Sequence, residues 1–278
     1  MTGAAGMLGH KVVAEAQGRG HEVVAADLDE FDLTDAAATR AFVADARPEA
    51  VVNCAAYTNV DAAEEHEDVA LRVNADGAGN VAAAAAEAGA RIVHVSTDYV
   101  FDGEHDTPWL ESDPVAPLGA YGRTKFAGER ALAAANPEHA ILRTAWLFGV
   151  GGPNFVDTML RLGAERDAVK VVTDQIGCPT WTGHLAPALV DVAERRGAVG
   201  VFHAAGGGQC SWNELAAEAF ARAGIDCRVL PTTAAEFARP APRPAWSVLG
   251  SERDDPVTLP PWQDGLQGHL DERGGGRG

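Results

Sequence analysis

The four cysteines, Cys54, Cys178, Cys210 and Cys227, lie far apart, with no Cys-x-x-Cys pair and no His spacing that would complete a zinc site. A cysteine-built metal centre and a disulfide framework are excluded, and reduced thiols in a cytoplasmic protein are the expectation. Basic residues are scarce, 22 Lys and Arg against 40 Asp and Glu, for a formal net charge of −18. Nucleic acid and anionic membrane both need a basic footprint, so neither is an expected partner. An anionic ligand must then be held locally, by helix amino termini and a few arginines. No apolar run reaches the roughly 18 residues of a membrane span, and no signal peptide or lipidation motif is found. No metal site is expected. What remains is a soluble globular chain, and its 46% hydrophobic content over 278 residues is enough for one large domain or two small ones.

Against those absences, glycine is placed with purpose. Thr2-Gly3-Ala-Ala-Gly6-Met-Leu-Gly9 opens a helical run from His10 to Gln17, which leads through Gly18-Arg-Gly20 into the apolar run Glu22–Ala26 and then Asp27. Glycines permit a tight turn and a close backbone approach to a pyrophosphate, whose charge meets the amides of the helix amino terminus. Asp27 stands where an acidic residue holds the adenosine ribose, which leans toward NAD; Asp29, Glu30 and Asp32 supply no cation for a 2′-phosphate. A first strand should precede the glycines, yet the chain begins at Met1, so the central strand of the sheet has no residues. Either the start is placed too late or the sheet lacks its middle. A truncated start is the expectation, because a missing central strand would leave unpaired backbone groups in the core.

Strand and helix signals then alternate. A helix is read over 35–46, a strand over Ala50–Asn53, and a helix over 68–89 that carries Asn74 in its interior, where Asn is unfavourable unless it bonds something. Ile92-Val-His-Val-Ser96-Thr97 is a β-branched run ending in hydroxyls, as a buried parallel strand reads, and ligands of doubly wound folds sit beyond such strand ends. Tyr121 and Lys125, in Gly119-Ala-Tyr121-Gly-Arg-Thr-Lys125, share one face of the next helix. An ammonium there would lower the phenol's pKa and ready it for proton transfer; alone, the pair equally fits a snorkelling Lys beside a half-buried Tyr. The strand after it, from Ala140, ends in Trp146 and Phe148, which suit a ligand wall or a core equally. Further on, helices over 154–166, 184–195 and 211–223 alternate with strands over 169–174 and 200–204, and Ser211-Trp-Asn-Glu214 is a capping box. Arg239-Pro-Ala-Pro-Arg243-Pro-Ala-Trp246-Ser247 is read as irregular, either a solvated loop or a diphosphate clamp. Residues from about 272 to 278 are read as a disordered tail.

With these residues in view, the chain resembles the extended short-chain dehydrogenase/reductases and, within them, the dTDP-4-dehydrorhamnose reductase family, from Thr2 to about Leu270. The carrying stretches are Asn53-Cys-Ala-Ala-Tyr-Thr-Asn-Val-Asp61, Ser96-Thr-Asp-Tyr-Val-Phe-Asp-Gly103, Arg143-Thr-Ala-Trp146, Asp174-Gln-Ile-Gly-Cys-Pro-Thr180 and Arg243-Pro-Ala-Trp-Ser247. The resemblance implies a Rossmann-type doubly wound α/β sheet over 1–150, rejoined by about 181–205, and a mainly substrate-binding part over 151–278. It implies reduction of the C4 ketone of a dTDP-4-keto-6-deoxyhexose, with Tyr121 as acid, Lys125 beneath it and Thr97 on the carbonyl oxygen. By the same resemblance Gly3, Gly6, Met7, Leu8, Gly9, Asp27, Asp32, Leu33, Ala55, Ala56 and Tyr57 line the cofactor, while Thr97, Asp98, Tyr99, Trp146, Asn154, Gln175 and Arg243 meet the substrate. The family points to NADPH with NADH possible, and to a monomer or homodimer. The run Gly250–Pro256 departs from the family pattern. Two other implied readings are a related keto-sugar reductase and a non-catalytic regulatory subunit, against which the intact Thr97, Tyr121 and Lys125 argue.

Overall fold

The computed structural model describes residues 1–275. Four parallel strands, Ala50–Asn53, Arg91–Thr97, His139–Thr144 and Gly200–His203, lie side by side in that order. Successive side chains of the inner strands face opposite sides of the sheet. Val93 and Leu142 join Leu8, Val12, Leu185, Leu189 and Phe202 on one side; Ile92 and Ile141 join Leu33, Val51, Val81 and Leu132 on the other. Both faces are therefore buried, and that is why these strands read as continuous rather than alternating apolar runs. Helices Gly9–Gly18 and Thr182–Glu194 cover the first face. Helices Ala78–Glu87 and Ala120–Ala135 cover the second, with Ala36–Ala46 packed on Ala78–Glu87. The doubly wound α/β sheet expected from the sequence is present.

Its middle differs from expectation. Thr2 pairs in parallel with Asn53 on one side and Ala26 on the other. The Thr2 N–H donates to Val52 O (3.0 Å), the Cys54 N–H to Thr2 O (3.1 Å) and the Ala26 N–H to Met1 O (2.8 Å). The position read as having no residues thus holds a two-residue stub. The run Glu22–Ala26 forms its one bridge at Ala26, with the Met1 amino group donating to Val24 O (2.9 Å), and Val24 stays 42% exposed.

The helix read over 68–89 follows one path but widens into a π turn at Arg72–Gly77, between Glu67–Leu71 and Ala78–Glu87. The widened turn buries Asn74, whose Oδ1 accepts from the Tyr57 N–H (2.8 Å) and whose Nδ2 donates to Tyr57 O (3.2 Å) and Thr124 Oγ1 (3.0 Å). Asn74 is a brace that fixes the segment after the strand Ala50–Asn53. Gly128 lets the Tyr121 helix approach this turn, since a Cβ there would lie 2.0 Å from Asn74 O.

In the carboxy-terminal half, strands Ala168–Val172 and Arg228–Thr232 pair in parallel against helices Phe155–Glu165 and Trp212–Ala223. The Ser211–Glu214 capping box forms as read. The proline-rich segment is irregular up to Trp246-Ser247, which pairs with Ile176-Gly177. In the run 250–256, Arg253 lies 3.7 Å over the Phe202 ring and donates to Val201 O (3.1 Å), closing the sheet edge. The tail read as disordered from about 272 is helical through Gly275, within Trp262–Gly275, and residues 276–278 lie outside the described residues. Buried His269 bonds Asp157 (2.9 Å), Arg273 pairs with Asp157, and Lys11 of the first helix pairs with Glu272. Those contacts order a stretch whose glycines alone suggested a loose end.

Candidate active site

Thr97 closes the strand Arg91–Thr97 at its carboxyl end, and Tyr121 and Lys125 lie one turn apart at the start of the helix Ala120–Ala135. The start of that helix is tied down by the Ala120 N–H donating to Glu64 Oε1 (2.8 Å). Thr97 Oγ1 donates to Asp98 Oδ1 (3.0 Å) and accepts from the Tyr99 N–H (3.2 Å), so its rotamer is fixed. Burial pushes the Tyr121 phenol up to about 12, the Asp98 carboxylate adds to this, and the Thr97 hydroxyl against the phenol pulls the other way. The lowering by Lys125 expected from the helical spacing is not what the structure has. Lys125 Nζ donates inward to Val95 O (2.8 Å) and lies 3.2 Å from His94 Nε2. Burial pushes that lysine down to about 8 against the pull of Glu129 and Cys54. Asp98 is pushed up to about 7 by burial, with the Thr97 hydroxyl opposing, and its Oδ2 has no partner among the described residues.

The glycine turn lies at the same edge of the sheet. Gly3 has φ 69°, and a Cβ on it would lie 2.6 Å from the Ala55 amide nitrogen; a Cβ on Gly9 would lie 1.9 Å from Gly3 O. The helix that follows has no acidic residue in its first turn, so its positive end is left for an anion. Asp27 accepts from the Ala5 and Leu28 N–H groups (both 2.9 Å), tying the turn to the ribose-side loop. These features fit a dinucleotide, with Gly6 and Met7 in the turn and Ala55, Ala56 and Tyr57 half-buried beside it. Leu8 and Leu33, read as cofactor neighbours, are buried in the two core clusters, and Asp32 is exposed with its carboxyl held below the usual range by the Thr34 backbone and hydroxyl. Gly9→Ala is expected to cost about 1–3 kcal/mol, because backbone rather than a flexible side chain must move. A lowered urea midpoint checks it.

Of the residues read as meeting the substrate, Tyr99 has its ring edge-on to Tyr121, with centroids 5.6 Å apart. Trp146 has φ 47°, a strained value for a bulky residue. It stacks on Trp212 at 3.5 Å and 5°, against Gly177, whose Cβ would lie 2.4 Å from the indole. Gln175 is 8% exposed just before that glycine strand. Asn154 is spent on structure: it caps the helix Phe155–Glu165 and donates to Gly149 O and Asp157 Oδ2 (both 2.8 Å). Arg243 donates to both oxygens of Asp61 (3.0 and 3.1 Å), which Arg239 also holds (2.7 Å). Despite partial burial, the two arginines keep that carboxyl below the usual range. Asp61 was not singled out by sequence reasoning, and a pair 182 residues apart has no local signal that could have found it.

Comparison with known proteins points to one family of reductases. The family model described as the RmlD substrate binding domain matches residues 1–274. A probable dTDP-4,6-dihydroxy-2-methyloxan-3-one 4-ketoreductase of Streptomyces antibioticus is 47% identical over 267 residues, covering 95% of this chain and 90% of that protein. The dTDP-4-dehydrorhamnose reductase of Streptomyces griseus is 46% identical, covering 94% and 88%. The crystal structure of dTDP-4-dehydrorhamnose reductase from Bacillus anthracis in complex with NADP superimposes with a TM-score of 0.94 at 37% identity, covering 98% of this chain and 97% of that one. On this evidence the chain belongs to the RmlD substrate binding domain family, that of the dTDP-4-dehydrorhamnose reductases.

Proposed function

We propose that this protein reduces the C4 ketone of dTDP-6-deoxy-L-lyxo-4-hexulose to dTDP-L-rhamnose, with NADPH as reductant and NADH accepted in its place. The observation that carries this reading is the Thr97 hydroxyl at its strand end against the Tyr121 phenol, with Lys125 one turn further along the same helix. A nicotinamide held beside the glycine turn would supply the hydride that the ketone carbon needs. A phenol pushed up to about 12 keeps its proton at neutral pH, so Tyr121 is a donor for the alkoxide oxygen that develops. Thr97 turns its hydroxyl proton from Asp98 Oδ1 to the same oxygen and stabilises the charge there. Lys125 holds the ribose next to Tyr121, while Gly3, Gly6 and Gly9 admit the pyrophosphate to the helix terminus. The unpartnered Asp98 Oδ2 takes a sugar hydroxyl, Tyr99 and Trp146 wall the ring, and Arg243 exchanges Asp61 for the diphosphate.

In this reading residues 1–150 with about 181–205 bind the cofactor and most of 151–278 binds the sugar nucleotide. The protein works in the cytoplasm as a monomer or homodimer, and no helix among the described residues is long and apolar enough to cross a membrane. A second reading, reduction of another dTDP-4-keto sugar, is favoured by the printed activity of the Streptomyces antibioticus relative. Both are tested by following loss of NADPH or NADH absorbance with each keto sugar. Faster consumption with the L-lyxo-hexulose supports the first, consumption only with dTDP-4,6-dihydroxy-2-methyloxan-3-one supports the second, and none with either sinks the reductase assignment.

A further inference from the structure

Asn53, His94 and Lys125 form a chain of polar side chains beneath the catalytic pair, none more than 2% exposed. Asn53 Nδ2 lies 3.1 Å from His94 Nδ1, and His94 Nε2 lies 3.2 Å from Lys125 Nζ. The direction of each bond follows from one group that has no choice. The Ala55 backbone N–H can only donate, and it meets the Asn53 side chain at 3.0 Å, so the atom it meets is the amide oxygen. The Thr2 hydroxyl donates to that same oxygen at 2.8 Å. The amide NH2 therefore faces His94 Nδ1, which must carry a lone pair to accept it. Burial and the neighbouring Lys125 hold His94 well below the usual imidazole range, so the ring is neutral. A neutral ring with a bare Nδ1 has its proton on Nε2. That proton points at Lys125.

When Lys125 is an ammonium, two donors meet, because an ammonium has three N–H bonds and no lone pair. When it is an amine, its lone pair takes the His94 Nε2–H and it still donates to Val95 O at 2.8 Å. We propose that Asn53 and His94, by locking the Nε2–H tautomer against Lys125, favour the neutral amine and set the pH at which Lys125 gains and loses its proton. His94 is thus a positioning residue that acts through Lys125. The other ionisable groups that act on Lys125 are Glu129 on its own helix and Cys54 after the strand Ala50–Asn53, both favouring the ammonium. Glu64 and Glu67, on the helices packed against the start of the Lys125 helix, are engaged by the Ala120 N–H and by Arg123. Burial outweighs Glu129 and Cys54, and the proposed opposition of the Nε2–H would add to burial.

The test is 15N NMR of the full chain, reading the His94 ring nitrogens and the titration of Lys125 Nζ. Near neutral pH the expected signal is a bare Nδ1 and a protonated Nε2; a protonated Nδ1 or an imidazolium overturns the proposal. Asn53→Asp puts a carboxylate oxygen against Nδ1, which moves the ring proton there and turns the Nε2 lone pair to the ammonium. The Lys125 midpoint should then rise by about one pH unit or more. The added charge also favours an ammonium, so His94→Gln, whose amide oxygen can accept from Lys125 without new charge, serves as the second variant and should shift the midpoint the same way. A midpoint unchanged in both variants overturns the proposal. Only one further consequence rests on the reductase reading: the fall of kcat/KM on the alkaline side should move upward with the midpoint. Expected NMR results without any turnover would sink the reductase reading and leave this proposal standing.

Discussion

Tyr121→Phe is expected to lower turnover of the keto sugar by about 10²–10⁴-fold while leaving NADPH affinity nearly unchanged, since general acid catalysis contributes on that scale. The ring stays in place, with its edge-on contact to Tyr99 and its position over the helix start. Only the hydroxyl, with its proton and its contact to Thr97, is lost. Because Thr97 and Asp98 form their own hydrogen bond at 3.0 Å, neither needs the phenol to stay folded, so the variant removes chemistry without removing structure. Single-turnover kinetics beside a cofactor fluorescence titration separate the two quantities. Retained turnover in this variant would sink the assignment of Tyr121 as the acid, and a parallel loss of cofactor binding would point to a role in holding the nucleotide instead.

Glu129→Gln is expected to destabilise the fold by about 3–5 kcal/mol, the cost of stranding one member of a buried pair. Glu129 and Arg143 meet through two bonds, Nε to Oε1 at 3.0 Å and Nη2 to Oε2 at 2.7 Å, with both side chains 4% exposed. Ser96 also donates to Glu129, and the Arg143 guanidinium lies 5.2 Å from the Phe101 ring centroid. Taking the carboxylate away leaves a buried guanidinium uncompensated, with Nη1 already without a partner among the described residues. Replacing both residues, Glu129→Leu with Arg143→Met, is expected to recover most of the loss, because no charge is then left buried. Urea unfolding of the single and double variants decides it; a single variant as stable as the parent would show that water or a backbone shift relieves the arginine.

What was legible in the sequence was local. The runs Ala50–Asn53 and Ile92–Thr97 declared buried parallel strands, the glycine turn declared a close approach, and Ser211 with Glu214 declared a helix start. The reason is that each signal and its cause lie within a few residues. The placement of Thr97 at a strand end, and of Tyr121 and Lys125 one turn apart on the next helix, was legible because motif and element coincide there. What the sequence hid depends on partners distant in the chain. Asp61 against Arg243, Glu129 against Arg143 and Trp146 against Trp212 follow from packing, not from spacing. The direction of the Tyr121 shift was hidden for the same reason: helical spacing placed a lysine nearby, but burial and Asp98 decide the phenol's protonation. Residues 272–275 were misread because Gly-rich composition carries no information about the Asp157, Lys11, His269 and Arg273 contacts that hold that stretch.

Those last contacts join parts of the chain that sequence order keeps farthest apart. The helix Trp262–Gly275 is clasped to the helix Gly9–Gly18 through Lys11 and Glu272, and to the helix Phe155–Glu165 through Asp157. Local opening in a folded protein travels in cooperative units defined by contact rather than by position in the chain. The first and last of the described helices are thereby tied across 261 residues of chain, so the helix behind the glycine turn has a neighbour that sequence order does not supply.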